Sequence, residues 1–586
     1  MRVGRSLMLC AAALCLVAAT APPVRAGPVP ARSELGPMDW PTYGHDLHRT
    51  FAGRTTLDPN SVTTLSRAWF FPTGDAVTAE PIVAGGTVYA GSWDGHFYAI
   101  DVATGAQRWS FTLKPQPAVT PQPGNRQPSD FASDGGMVTS TAYFLPGRGN
   151  RPDLVIFGGG YTLYALRATD GAPYWEHDYT GRPENPPDPG HDGTRIFSSP
   201  AVVGDQVLFG VSADGNRGFR GYFAAADLAS GNPRWVRELD VDPGGRLLND
   251  GCGSVWSSPT IIERLGLAVF DVSDCHFTRQ GTYTEHVLAV RIGDGAIAWS
   301  FAPSRPDNGC DFDFGATANL GTAADGTASF LGVGGKDGTY YSLDPATGAA
   351  RWQTNVVFGG FAGGFIGSTA YDGTRAYGAT ALGDFGRFEG VGTAGCEPGN
   401  PRDLPLQEPS LHAFDAGAGG IAWEQPASQS FGSTAVAGGM VFVAASLLRQ
   451  VQVRDAATGR LLMSIPLPAN SDSGAVVAGD TVIFGTGSSE QGAPDGIYAY
   501  TPHGAPPQIP AASDGDGAPA PATGAGAAGP PALPSTGSSP SAGWPGGVAA
   551  AVLAAVAAAG WRPRRRQGRA ISRPAATSSK VGGPPG

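Results

Sequence analysis

Short apolar runs alternate with polar turns along most of this chain, and one arrangement keeps returning. Phe97-Tyr-Ala-Ile100 runs into Asp101-Val-Ala-Thr-Gly105 and then Gln107-Arg-Trp109. Leu163-Tyr-Ala-Leu166 passes through Asp170-Gly171 to Trp175, and Tyr340-Tyr-Ser-Leu343 through Thr347-Gly348 to Trp352. Ser230-Gly231 precedes Trp235, Asp294-Gly295 precedes Trp299, and Gly419-Gly420 precedes Trp423. A last copy keeps Thr458-Gly459 but ends at Met463. A four-residue apolar run bounded by turn residues predicts a strand. A small polar residue followed by Gly predicts a hairpin, because Gly accepts positive φ with no Cβ to clash.

A second strand pair precedes most copies. Glu80-Pro-Ile-Val-Ala-Gly-Gly-Thr-Val-Tyr89, Ser199-Pro-Ala-Val-Val-Gly-Asp-Gln-Val-Leu208 and Ser473-Gly-Ala-Val-Val-Ala-Gly-Asp-Thr-Val482 are examples. Each unit is therefore four strands, with the Trp on the outermost. Outer strands are marked by Trp69, Trp109, Trp175, Trp235, Trp299, Trp352, Trp423 and Met463, at spacings of 40 to 71 residues. Repeats of this kind predict an all-β, eight-bladed β-propeller of four-stranded antiparallel blades over residues 39–502. The orphan strand Ser66–Phe71 is expected to complete the last blade, which ends at Tyr500 without an outer strand of its own, and so to leave no exposed sheet edge.

Composition narrows the class. Gly, at 87 of 586 residues, is about twice its usual share, as a turn-rich chain needs. The net charge of −11, with only three lysines (Lys114, Lys336 and Lys580), argues against a nucleic-acid partner. Residues 1–26 read as a secretory signal: Arg2 and Arg5, an apolar core, then Val24-Arg25-Ala26 before the cut. Cys15 would suit a lipoprotein, but its flanks lack the small residues that a lipidated Cys prefers. Export leaves Cys252, Cys275, Cys310 and Cys396, enough for two disulfides in any of three pairings. No C-x-x-C-H haem motif and no zinc spacing occurs.

Residues 503–532 turn to Pro, Ala and Gly and read as a disordered linker. Leu533-Pro534-Ser535-Thr536-Gly537, an apolar stretch over 544–561 and a basic tail over 562–586 opening with Arg562-Pro-Arg-Arg-Arg566 follow in order. This order resembles the sorting signal of Gram-positive surface proteins. The resemblance implies a sortase that cuts between Thr536 and Gly537 and joins the Thr to peptidoglycan, giving an extracellular, wall-anchored protein. The alternative is a plain C-terminal membrane anchor, since 18 apolar residues just span a bilayer.

In a four-stranded meander the Thr-Gly turns share one face of the ring. The opposite face collects the second-to-third-strand loops and the loops between blades. Asn216, Trp256, Asp274, Asp313 and Lys336 fall in such loops, as do all four exported cysteines.

Asp39-Trp-Pro-Thr-Tyr-Gly-His-Asp46, the Thr-Gly…Trp repeats, Gly253-Ser-Val-Trp-Ser-Ser-Pro259, Asp311-Phe-Asp-Phe-Gly-Ala316, Gly334-Gly-Lys-Asp-Gly338 and Gly359-Gly-Phe-Ala-Gly-Gly364 together resemble the quinoprotein alcohol dehydrogenases, above all the polyvinyl-alcohol dehydrogenase branch. The resemblance implies pyrroloquinoline quinone (PQQ) over the axis with a bound calcium ion. It implies Trp256 under the quinone ring, Lys336 at the quinone oxygens, and Asp313 as the base for the substrate hydroxyl. It places Asn216, Asp274 and Asp313 as calcium ligands, with the family's glutamate and asparagine exchanged for Asn216 and Asp274. The family's capping cysteine pair is replaced by Val138-Thr-Ser-Thr-Ala142, and with no fused haem segment an external electron acceptor is required. The alternative function is a non-catalytic propeller that binds or scaffolds at the cell surface.

Overall fold

The computed structural model describes residues 35–114, 138–180, 194–213, 219–273, 281–303, 312–357, 359, 363–382, 409–427, 430–488 and 491–509. The chain divides into two compact units, Met1–Gly515 and Asp516–Gly586. The second unit lies wholly outside the described residues, and so do the proposed leader, the sorting pentapeptide and the apolar stretch 544–561. Among the described residues no helix is long and apolar enough to cross a membrane, so no described helix carries the expected membrane span.

The first unit is an eight-bladed ring of four-stranded antiparallel sheets. Its first blade comprises Ile82–Ala84, Thr87–Gly91, His96–Asp101 and Gln107–Thr112, innermost to outermost. The eighth blade takes its outer strand from the other end of the chain. Leu65–Pro72 pairs antiparallel with Gln491–Pro502, Trp69 opposite Ala499 and Phe71 opposite Ile497.

The repeated Trp and Gly are two halves of one contact between blades. Trp175 Nε1 donates to the Leu228 carbonyl at 2.9 Å, and its ring packs under Gly231 so closely that a Cβ there would lie 2.5 Å from the ring. Gly231 itself has φ of 74°. The same indole-to-carbonyl bond joins Trp69 to Val102, Trp109 to Ala168, Trp235 to Ile292, Trp299 to Pro345, Trp352 to Ala416 and Trp423 to Ala456. Each Trp thus seals one blade to the next and satisfies its N–H in doing so. Met463 takes this position where the next blade has no Thr-Gly turn, because there the chain ends meet around the short 3-10 turn Ser61–Thr64.

The segment leading to Leu65 touches the inner edge of every blade. Main-chain bonds link Trp40 with Val83, Pro41 with Phe144, Leu47 with Ile261, His48 with Leu320, Thr50 with Tyr371, Phe51 with Val436 and Thr56 with Gly479. Arg49 Nη2 reaches the Pro200 carbonyl of the third blade at 3.3 Å. This strap brings a polar cluster into the axis. Arg49 is fully buried and also donates to Pro259 O, Tyr43 O and Thr42 Oγ1.

Beside the strap, hydroxyls at the starts of successive inner strands take the N–H of the preceding blade. Ser199 Oγ accepts from Thr141, Ser258 Oγ from Ser199, Thr317 Oγ1 from Ser258 and Ser368 Oγ from Thr317. The first blade has Glu80 in place of a hydroxyl. Its carboxyl accepts from Ser433 Oγ and from Gly44 N–H, both at 3.1 Å. Gly474 in the eighth blade makes room, since a Cβ there would collide with Ser433 Oγ.

Candidate active site

The loop before Thr260–Ile262 is pinned at both ends. Cys252 is buried and disulfide-bonded, and the other five cysteines lie outside the described residues. Asp240 Oδ2 accepts the N–H groups of Asp250 and Cys252, at 2.7 and 3.3 Å. Ser254 Oγ accepts from Ala213 N–H at 2.9 Å. The loop then presents Trp256 on the face opposite the Thr-Gly turns.

Lys336 lies in the tight turn after Ala328–Gly334, and its N–H donates to the Asp313 carbonyl at 2.8 Å. Gly359 and Gly364 press on this turn, where a Cβ on either would collide with the Lys336 carbonyl. That contact gives Gly359 and Gly364 their reason. The side chains of Lys336 and Asp313 meet as a buried ion pair, Nζ to Oδ1 2.7 Å, with side-chain exposures of 4% and 2%. The Lys336 ammonium also stands 5.2 Å from the centre of the Trp256 ring, a cation–π contact. Three residues named from sequence, on three separate loops, therefore meet. Asn216 and Asp274 lie outside the described residues, so their meeting with Asp313 at a common point remains an expectation.

Sequence reasoning missed a fourth member. Asp271 ends the strand Leu267–Asp271, in which every residue is buried. Burial, and then the Asp313 carboxylate, push its carboxyl well above the usual carboxylate range, with the Ser257 hydroxyl pulling the other way. That hydroxyl is committed to Asp271's own main chain, accepting its N–H at 2.8 Å and donating to its carbonyl at 3.3 Å. Among the described residues neither Asp271 carboxylate oxygen has a hydrogen-bond partner. Its signal in the sequence was a lone acid closing the apolar run Leu267-Ala-Val-Phe270.

The cluster suits an anionic, planar, oxygen-rich ligand beside a cation. It offers an aromatic face with an unpartnered indole N–H at Trp256, one ammonium, and the orphaned carboxylate oxygens of Asp271. Among the described residues no group of three His, Cys, Asp or Glu side chains could hold a metal ion. Two carboxylates, Asp271 and Asp313, are what the described part contributes.

Comparison with known proteins places this cluster in context. The profile of the PQQ group, described as the glucose/ethanol/alcohol dehydrogenase β-propeller domain, matches residues 40–357. The chain belongs to this family. Trp256, Asp313 and Lys336 all lie within the matched span of this family member. A profile for the outer membrane protein assembly factor BamB matches residues 336–496. The chain is 24% identical over 407 residues to a polyvinylalcohol dehydrogenase of Sphingopyxis sp. (strain 113P3), covering 64% of this chain and 56% of that protein. It is 24% identical over 380 residues to the quinohemoprotein alcohol dehydrogenase ADH IIB of Pseudomonas putida, covering 58% and 50%. The chain thus spans about half the length of these curated relatives. The quinohemoprotein alcohol dehydrogenase of Comamonas testosteroni superposes with a TM-score of 0.60 at 19% identity, over 81% of this chain and 82% of that one, a likeness of fold.

Proposed function

We propose that this protein is an exported, cell-wall-anchored PQQ- and calcium-dependent dehydrogenase that oxidises an alcohol, polymeric alcohols included. The observation that carries the reading is the buried meeting of Asp313, Lys336 and Trp256 in a member of this family. The polyvinylalcohol dehydrogenases among its relatives support the substrate class. Trp256 would lie against the face of PQQ, Lys336 would reach its quinone oxygens, and Asn216, Asp274 and Asp313 would hold the calcium through oxygen, as that ion prefers. PQQ, when bound, supplies a two-electron acceptor. Asp313 takes the substrate hydroxyl proton as general base. The buried setting keeps water from the pair and strengthens its electrostatics. Electrons leave to a separate acceptor, and sorting at Leu533–Gly537 fixes the enzyme to peptidoglycan outside the cell.

Purified protein loaded with PQQ and calcium tests this by dye reduction over a panel of alcohols. Asp313→Asn keeps the shape and an oxygen but removes the base, and activity should fall about 10²–10⁴-fold. A wild-type protein with neither saturable PQQ binding nor PQQ-dependent dye reduction sinks the enzyme reading. It favours instead a non-catalytic surface propeller, the reading that the assembly-factor match over residues 336–496 supports.

A further inference from the structure

Asp271 is fully buried, and among the described residues both its carboxylate oxygens lack a hydrogen-bond partner. Its main chain is held on both sides by Ser257 Oγ, the neighbour of Trp256. Asp313 lies within electrostatic reach on the next blade. The one ammonium of the cluster, Lys336, stands 2.7 Å from Asp313 Oδ1. Among the described residues, two buried carboxyl groups therefore share one ammonium. Buried carboxylates are ordinarily paired or bound to metal, because an orphan forfeits its hydration with nothing in return. Among the described residues no pairing side chain fills this role for Asp271.

We propose that Asp271 is a ligand of the cation bound at Asp313, a carboxylate additional to the three positions named from the sequence. The inference rests on the cation-binding part of the proposed function. Hard cations such as calcium take six to eight oxygens, and added carboxylates tighten their binding. A buried carboxylate on the second strand of the fourth blade is such a donor.

The test uses the full chain, stripped with chelator and titrated with calcium chloride by calorimetry. Terbium emission excited through tryptophan gives a second readout, and neither needs PQQ or turnover. Asp271→Asn should weaken calcium binding roughly 10- to 100-fold. It should also shrink the rise in melting temperature that calcium gives. If the amide variant does not fold, Asp271→Glu, which keeps the charge, should retain the calcium-induced rise, and its loss counts against the proposal. Asp271→Asn binding calcium as tightly as wild type, while Asp313→Asn loses it, overturns the inference and leaves the calcium reading standing. Wild-type protein that binds neither calcium nor terbium overturns both.

Discussion

Replacing Lys336 with methionine should damage this protein far more than replacing Asp313 with asparagine, although the two form one ion pair. The reason is a charge count. The buried cluster holds Asp271, Asp313 and Lys336, with Asp271 fully buried and the pair almost so. Lys336→Met leaves two carboxylates together with no cation. Removing one partner of a buried pair costs about 3–5 kcal/mol. Asp313→Asn leaves one carboxyl group, Asp271, beside one ammonium, and the new amide stays neutral next to Lys336. The expected loss is then about 1–2 kcal/mol. The measurement is the urea midpoint in chelator, with the slope checked for equality across variants. Adding Asp271→Asn to Lys336→Met should recover part of the loss. Equal losses for the two single variants, or a larger one for Asp313→Asn, would refute the charge count.

Three further outcomes are expected. Burial pushes the Glu80 carboxyl up to about 7 against the hydrogen bonds from Gly44 and Ser433, so the folded state holds this proton more tightly than the unfolded chain. Stability should therefore fall as pH rises from about 4.5 to about 7, and Glu80→Gln should flatten that part of the curve; an unchanged slope excludes Glu80 as its source. Gly231→Ala meets both a positive φ and the Trp175 ring, whereas Gly204→Ala meets a φ of 62° with open space around it. The Gly204 variant should lose about 1–3 kcal/mol of stability and the Gly231 variant clearly more, and equal losses would remove the ring contact from the account. Thr536→Ala should move the protein from the wall to the membrane fraction or the medium, and wild-type protein that detergent extracts without wall digestion rules out sorting.

The ring was legible in the sequence because its joints repeat a physical requirement. A turn pressed onto a tryptophan must be Gly, and the indole must face a main-chain carbonyl, so the pair recurs at each joint. The single exception, Met463, falls where the chain ends meet, and there the joint has no Thr-Gly turn to seal. Trp256, Asp313 and Lys336 were also within reach, since strand alternation alone assigns loops to one face. Asp271 was not. Seen along the chain it is one acid at the end of a buried strand, and its importance comes from Asp313, 42 residues away on another blade. Glu80 was hidden in the same way, inside what reads as an ordinary first strand. The strap over residues 40–56 was visible as a motif at Asp39–Asp46, but its path past eight inner edges depends on a closed ring that no local pattern describes.

That strap and the strand after it set the order in which the molecule is completed. Leu65–Pro72 is the first of the blade strands to emerge during synthesis or export and the last to find its partner, because it pairs with Gln491–Pro502. Until then the strap has at most a partial set of blades to lie on, and an open sheet edge persists at each end of the growing ring. Pairing at such a separation is slow. Both termini of the propeller are therefore needed for its final step: a chain cut at either end leaves the eighth blade incomplete and the ring without its closure.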